Sequence, residues 1–349
     1  MNYSDSERIE ALLSSFGLKS APEGKADLII VNSCSVRQKP IDRIWGKLKV
    51  WNNINPNAQK ILTGCVLPSD LIKLKEKFDY SFKINDLCDF NQWLEKHFGP
   101  KNIAKKIQKT NYLEIKPKRR EKETAYVPIM SGCNNFCSYC AVPYTRGREW
   151  SRRPSAIIKE VRCLSDKGYR KILLLGQNVN SYSIKGTKLG CGFVELLKKL
   201  VIIPGNFEIS FMSPYPKDFS DELIDLIAKE KKISKGIHLP MQSGDNKILQ
   251  KMNRGYKAND YLALIQKMRK KVKGLRISTD IIIGFPGETE QNFRNTARLV
   301  KSSNISKAYI SIYSPRNGTL AQKKFADSVP YEIKKKRWLI LEKMINKKD

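Results

Sequence analysis

"AYVPIMSGCNNFCSYC", Ala125 to Cys140, sets an apolar run directly against a loop that carries three of the chain's eight cysteines. The run is short, mostly apolar and closes at a glycine, as a buried parallel strand does when it hands its chain to a loop. Five more runs of this kind follow: "KILLLGQ" (171–177), "FEISFMS" (207–213), "GIHLPMQ" (236–242), "LRISTDIIIG" (275–284) and "KAYISIYS" (307–314). Helical patterns separate them, among them "SAIIKEVRCLSDKG", "GFVELLKKL", "SDELIDLIAKE" and "TEQNFRNTARLVKSS". Six βα units in succession predict an α/β fold with an open, partial (β/α)6 barrel. In such a barrel the chemistry belongs at the C-terminal ends of the strands, where the cysteine loop falls.

The chain ahead of the barrel reads differently. "DLIIVNSC" (27–34) and "QKILTGC" (59–65) are apolar runs that each end at a cysteine. "IDRIWGKLKVWNNI" between them has helical spacing, and "DSERIEALLSSFG" opens with an acidic turn and closes at Gly17. Residues 1–98 are therefore expected to form a small α/β layer domain, with Cys34 and Cys65 at the sheet edge where ligands usually sit. Residues 99–123, polar and containing "KPKRREKE", read as a basic linker, 124–330 as the barrel, and 331–349 as a terminal helix.

Composition bounds the function. With 349 residues, 41% of them hydrophobic, the chain has enough apolar material for two cores. No apolar run approaches the roughly 20 residues that span a bilayer, and "MNYSDSERIE" lacks the regions of a signal peptide, so the expectation is a cytoplasmic protein with no membrane partner. Eight cysteines are too few for a disulfide scaffold in a chain of this size, which leaves metal binding or catalysis. The 65 Lys and Arg against 34 Asp and Glu give +31, a charge that points to a polyanionic partner or, more plainly, to a lysine-rich surface that is basic throughout. The charge is concentrated at 101–123, with nine basic residues to three acidic, and in "KMRKKVK" (267–273) and "IKKKRW" (333–338). Such clusters supply salt-sensitive phosphate contacts.

The cysteine spacing is Cys133-x3-Cys137-x2-Cys140. Three thiolates hold three irons of a 4Fe-4S cluster and leave the fourth open, whereas a structural zinc wants four protein ligands. An open iron can chelate the amino and carboxylate groups of S-adenosylmethionine, and electron transfer into the sulfonium then yields a 5′-deoxyadenosyl radical.

The spacing, with Tyr139 before its last cysteine, resembles the radical SAM motif. "GCNNFCSYCAVPYTRGREWSRRP", "LLLGQNVNSY", "HLPMQSGDNKILQKMNRGY", "DIIIGFPGET" and "IYSPRNGT" resemble, in order, successive motifs of the radical SAM methylthiotransferases. The resemblance runs from Met1 to about Ile345. "LGQNVNSY" (Leu175–Tyr182) is closest to the branch acting on N6-isopentenyladenosine beside the tRNA anticodon. Relatives acting on threonylcarbamoyladenosine or on a ribosomal protein differ there and are kept as alternatives. The resemblance implies that Cys133, Cys137 and Cys140 hold the radical-generating cluster. It also implies that Tyr139, Gln177, Asn178, His238, Arg254, Asp280 and Gly284 line the S-adenosylmethionine or substrate pocket, Arg254 at the cofactor carboxylate and Gly284 at its adenine. Each of these has a plainer reading: helix cap for Gln177 and Asn178, core histidine for His238, surface charge for Arg254, simple turn for Gly284.

The family carries a second 4Fe-4S cluster, held by three cysteines of the N-terminal domain and linked to the inserted sulfur. Cys34 and Cys65 match two of those positions. The third lies just before a "QMN" sequence in the family, and this sequence begins at "MNYSDSE", so it is missing here and a misassigned start or truncated gene is the expected cause. Cys88 in "NDLCDF" is either a substitute or a packed core residue, while Cys163 and Cys191 read as packing or incidental residues rather than ligands. Arg146 and Arg148 flank the cysteine loop, facing either RNA phosphate or a cluster. The family usually continues into a small RNA-binding β-barrel, TRAM, where this sequence ends at "KMINKKD".

The implied reaction is hydrogen abstraction from C2 of the adenine, sulfur insertion there, and methylation by a second S-adenosylmethionine. Implied partners are a tRNA anticodon loop, whose adenosine is splayed into the barrel mouth between the two clusters, and an electron donor such as flavodoxin or ferredoxin. The chain is expected to act as a monomer. Two other readings stay open: a form that cleaves S-adenosylmethionine without inserting sulfur, and a basic RNA-binding remnant without chemistry, against which the intact motifs argue.

Overall fold

In the computed structural model, which describes residues 1–99, 111–184 and 191–346, the chain divides into two units. The first comprises Met1–Lys122, Cys140–Arg148 and Arg316–Gly318; the second comprises Glu123–Tyr139, Glu149–Pro315 and Thr319–Asp349. Residues 100–110 of the expected linker and 347–349 of the terminal helix lie outside the described residues.

In the first unit, α1 (Asn2–Ser15) stops where Gly17 takes φ +82° and the Gly17 and Leu18 amides turn back to the Ser14 and Leu13 carbonyls. Glycine suits this left-handed helix end. β1 (Leu28–Cys34) and β2 (Gln59–Cys65) run parallel, crossed over by α2 (Gln38–Ile54). Ile41, Ile44, Leu48 and Trp51 form the buried stripe of α2 and pack with Ile29, Leu62 and Leu74. α3 (Pro68–Leu74), a two-residue β3 (Tyr80–Ser81) beside β2, and α4 (Leu87–Phe98) complete the unit. The sequence reading lacks β3, since two residues carry no period. Part of the expected linker belongs to this core. Tyr112, Leu113 and Ile115 are buried, and the Lys118 amide donates to the Glu7 carbonyl of α1 at 2.9 Å.

The pairing of β1 with β2 sets Cys34 opposite Cys65 at the C-terminal ends of both strands. Gly64 precedes Cys65 with φ +102°, and a Cβ there would stand 2.3 Å from the Ser33 carbonyl oxygen. That oxygen is backbone and cannot swing aside. Gly64→Ala is therefore expected to cost about 1–3 kcal/mol of stability. Thermal unfolding of the metal-free chain checks this, and an unchanged Tm would refute the claimed crowding.

The second unit holds the six strands expected from the sequence: β4 (Thr124–Pro128), β5 (Lys171–Leu175), β6 (Glu208–Phe211), β7 (Gly236–His238), β8 (Arg276–Ile283) and β9 (Lys307–Ile312). They form two parallel ladders, β4-β5-β6 and β7-β8-β9. Ile209 of β6 joins them, its amide donating to the Lys232 carbonyl and its carbonyl accepting from the Ser234 amide. The strands thus follow one another in chain order, and no pairing of β4 with β9 occurs among the described residues, so the barrel is open. α5 (Pro154–Asp166), α6 (Phe193–Val201), α7 (Asp221–Lys229), α8 (Ala258–Lys271) and α9 (Glu290–Ser303) cover its outer face, and α10 (Tyr331–Ile345) packs beside β9. The strict alternation of β8, with Ile277, Thr279, Ile281 and Ile283 buried, sends Ser278 and Asp280 to the inner face. Among the described residues no helix is long and apolar enough to cross a membrane.

Candidate active site

A short antiparallel pair, Met130–Ser131 with Trp150–Ser151, closes the base of the cysteine loop after β4. Gly132 and Phe136 both take positive φ, +78° and +46°, bending the backbone tightly around Cys133 and Cys137, which are buried. Ser138 anchors the loop: its amide donates to the Met252 carbonyl at 3.0 Å and its hydroxyl to the Lys251 carbonyl at 2.7 Å. Asn253 Nδ2 donates to the Phe136 carbonyl at 3.0 Å. Tyr139 packs with Ile248, Met252, Phe285 and Tyr313. Cys140, half-buried, opens the segment counted with the first unit.

Each of the three sulfurs receives an N–H donor. The Asn135 amide serves Cys133, Arg254 Nη1 lies 3.3 Å from Cys137 Sγ, and the Val142 amide lies 3.4 Å from Cys140 Sγ. Donors of this kind stabilise thiolate charge and tune iron–sulfur clusters, so the loop chemistry fits the group the spacing implies. Burial pushes the Cys133 thiol above its ordinary pKa, so iron loading there displaces a proton. Among the described residues no three His, Cys, Asp or Glu side chains converge as ligands of one ion would. The thiolates of a cubane sit on separate irons and need no such convergence.

The other pocket candidates lie along the inner face and the C-terminal ends of the same sheet. Gln177, after β5, keeps a buried Oε1 with no hydrogen-bond partner, an acceptor ready for a ligand N–H. Asn178 is committed elsewhere: its Nδ2 donates to Asp218 at 3.1 Å and its Oδ1 accepts the Tyr215 amide at 3.2 Å. Both ends of its amide thus hold the loop after β6. His238 is buried on the inner face between Ser278 Oγ (3.1 Å) and Asp280 Oδ2 (3.0 Å), with the exposed Tyr309 ring edge-on at 5.7 Å. Gly284 ends β8 with φ +71°, and its amide donates to Glu288 Oε1 at 3.1 Å. A Cβ on Gly284 would meet Lys334 Cγ at 2.3 Å. Burial pushes the Glu288 carboxyl up to about 7, against the opposing pull of the Gly284 amide and of Arg337 at 2.8 Å.

Backbone strain concentrates here. Of the five non-glycine residues with positive φ among the described residues, Phe136, Ser213 and Gln242 lie in loops on this side of the second unit, while Asn253 and Asn304 are left-handed helix ends. Such conformations cost about 1–3 kcal/mol each and persist where the surroundings impose them, typically at functional sites.

In the first unit, Arg146 is turned inward rather than toward RNA phosphate. It is 2% exposed, with Nε 2.9 Å from Cys65 Sγ, Nη2 2.5 Å from Asp5 Oδ2 and Nη1 3.1 Å from the Tyr112 hydroxyl. Arg148 is exposed. Burial raises the Cys65 thiol's pKa while Arg146 opposes it. Arg316 pins the turn after Cys34, Nε donating to the Ser35 carbonyl at 2.8 Å and Nη2 pairing with Asp70. Cys88 is buried in the first turn of α4, Cys191 is buried, and Cys163 is exposed on α5. The sequence reading missed Asp5, Tyr215, Tyr256 and Arg337 as partners of site residues. Nothing local marks Asp5, Tyr215 or Arg337, since their partners lie elsewhere in the chain, whereas Tyr256 stands two residues from Arg254.

Residues 127–300 match the radical SAM superfamily, and residues 1–83 match the family described as uncharacterized protein family UPF0004. The chain is 40% identical to the tRNA-2-methylthio-N(6)-dimethylallyladenosine synthase of Thermotoga petrophila, over 100% of this chain and 80% of that one. The enzymes of the same name from Clostridium botulinum (40% identical, 99% of this chain, 79% of that one) and Finegoldia magna (38%, 99% and 76%) are similar. Among solved structures, the radical S-adenosylmethionine methyltransferase TsrM from Kitasatospora setae, with cobalamin and a 4Fe-4S cluster bound, superposes with TM-score 0.56. It is 14% identical over 90% of this chain and 68% of that one. The cobalamin-dependent S-adenosylmethionine radical enzyme OxsB gives 0.54 at 12% identity, covering 97% of this chain and 49% of that one. At these identities the likeness is one of fold.

Proposed function

Because the chain belongs to the family of MiaB-like radical SAM methylthiotransferases, we propose that it adds a methylthio group to C2 of N6-isopentenyladenosine next to the anticodon of tRNA. The observation that carries this reading is the 40% identity to tRNA-2-methylthio-N(6)-dimethylallyladenosine synthases along the whole chain. The net charge of +31 supports a polyanionic substrate. An electron donor such as flavodoxin or ferredoxin, a cytoplasmic location and action as a monomer complete the reading.

Cys133, Cys137 and Cys140 would hold the radical-generating 4Fe-4S cluster, and Cys34 and Cys65 are the candidate ligands of the auxiliary one. When bound, the first cluster supplies the electron that cleaves S-adenosylmethionine. The protein's part is positional. The Asn135 and Val142 amides and the Arg254 guanidinium hold the three sulfurs in place. The Gly284 turn, fixed through Glu288, forms an edge for the adenine, and Gln177 Oε1 offers an acceptor. Asp280 and Ser278 fix the His238 ring on the inner wall, beside the Tyr309 ring. A loop adenosine is already single-stranded, so splaying it toward that wall costs little.

The test is anaerobic reconstitution with iron and sulfide, then incubation with isopentenylated tRNA, S-adenosylmethionine and dithionite, with nucleosides read by mass spectrometry. The expected result is 2-methylthio-N6-isopentenyladenosine together with 5′-deoxyadenosine. Formation of 5′-deoxyadenosine with no methylthiolated nucleoside would reduce this chain to a cofactor-cleaving form and overturn the proposal.

A further inference from the structure

Arg254 carries more than the expected carboxylate contact. Its guanidinium is stacked against two tyrosine rings, 4.3 Å from the Tyr215 centroid and 5.0 Å from that of Tyr256. All three of its nitrogens are engaged within the chain: Nη1 on Cys137 Sγ at 3.3 Å, Nη2 on the Pro240 carbonyl at 3.3 Å, and Nε on the Tyr256 hydroxyl at 3.1 Å. The tyrosines are fixed in turn. Tyr256 donates its hydroxyl proton to the Pro240 and Met241 carbonyls, and the Tyr215 hydroxyl accepts the Gly255 amide at 2.8 Å. Asn253, at φ +55°, sets the direction of the next side chain, while its own amide and the Met252 and Lys251 carbonyls bind the cysteine loop at Phe136 and Ser138. Arg254 and Cys137 are thus held on one stitched pair of loops.

Of the three N–H donors to the cysteine sulfurs, Arg254 is the one that carries a full charge. A guanidinium stays protonated at any working pH, is more weakly hydrated than an ammonium and stacks on aromatic faces, so it can sit against a sulfur at less desolvation cost than a lysine would. Hydrogen bonds and net charge around the sulfurs set the reduction potential of an iron–sulfur cluster. We propose that Arg254 is a positioning residue that raises the reduction potential of the cluster on Cys133, Cys137 and Cys140 through its charged N–H···S bond to Cys137. This rests on the reading of those cysteines as cluster ligands. The charge favours the reduced cluster, so a donor of given strength loads more electrons before S-adenosylmethionine binds.

The test uses the full chain with Cys34→Ala and Cys65→Ala, so that a single cluster is read. Iron content and the midpoint potential, from redox titration followed by electron paramagnetic resonance without S-adenosylmethionine, are compared for Arg254, R254K, R254Q and R254M. The expected result is about four irons in each, with the midpoint displaced to more negative potential in R254M and R254Q and partly restored in R254K. Iron retained with an unmoved midpoint in R254M and R254Q, and only S-adenosylmethionine binding weakened, would overturn the inference and leave Arg254 a carboxylate contact. If R254M takes up no iron, R254Q carries the same comparison. A parent that binds no iron would overturn the cluster reading itself and the inference with it.

Discussion

Cys137→Ala is expected to remove about four irons per chain relative to the parent and to abolish formation of 5′-deoxyadenosine. The loss should be complete because each thiolate of the triplet serves its own iron, and neither Cys133 nor Cys140 can take over the position of Cys137. Folding should survive. Cys137 is a small buried side chain whose replacement by alanine removes only a sulfur's worth of contact, about 1 kcal/mol. The informative quantity is the difference in iron between variant and parent, which is the same whether or not Cys34 and Cys65 also hold a cluster. A Cys137→Ala chain that kept its full iron content after reconstitution would remove the triplet from the mechanism.

Arg146→Met should have the largest effect on stability, about 3–5 kcal/mol, because it strands a buried anion rather than because the pair itself is strongly attractive. Asp5 is fully buried and its ion-pair partner is Arg146 Nη2 at 2.5 Å. With the guanidinium gone, Asp5 is left buried without its ion-pair partner. The prediction therefore has a second arm: adding Asp5→Asn to Arg146→Met should recover much of the loss, because the double variant leaves no unpaired charge. Thermal unfolding of the metal-free proteins reads both. Equal instability of the single and double variants would show that Arg146 acts by packing alone.

What the sequence revealed followed from periodicity. All six barrel strands were legible, since each is an apolar run that closes at a turn and is followed by a helical stripe. The ends of β1 and β2 were legible for the same reason, which placed Cys34 and Cys65 at strand termini. Two residues of β3 gave no signal, and residues 112–122 looked like linker because their charges outnumber the three apolar side chains that anchor them. Long-range polar partners were beyond reach. Asn178 sits in a stretch that reads as pocket, yet its amide is used by Tyr215 and Asp218, some 40 residues on. Arg146 reads as a surface arginine beside a cysteine loop, but its partners are 141 and 81 residues away, at Asp5 and Cys65. Hydrogen-bond partners so distant in sequence leave no periodic trace, and a buried arginine looks like any other until the fold is known.

The register of β1 against β2 also governs how this chain can change over evolutionary time. Side chains alternate faces along a strand, so a single-residue insertion or deletion within either strand would turn its terminal cysteine to the opposite side of the sheet and carry core side chains such as Ile29 or Leu62 with it. Length variation among descendants should therefore gather in the turns around α2, where an added residue leaves the pairing of Cys34 with Cys65 untouched. The two strands act as a fixed ruler, in which the core side chains and the cysteine pair keep their places together or lose them together.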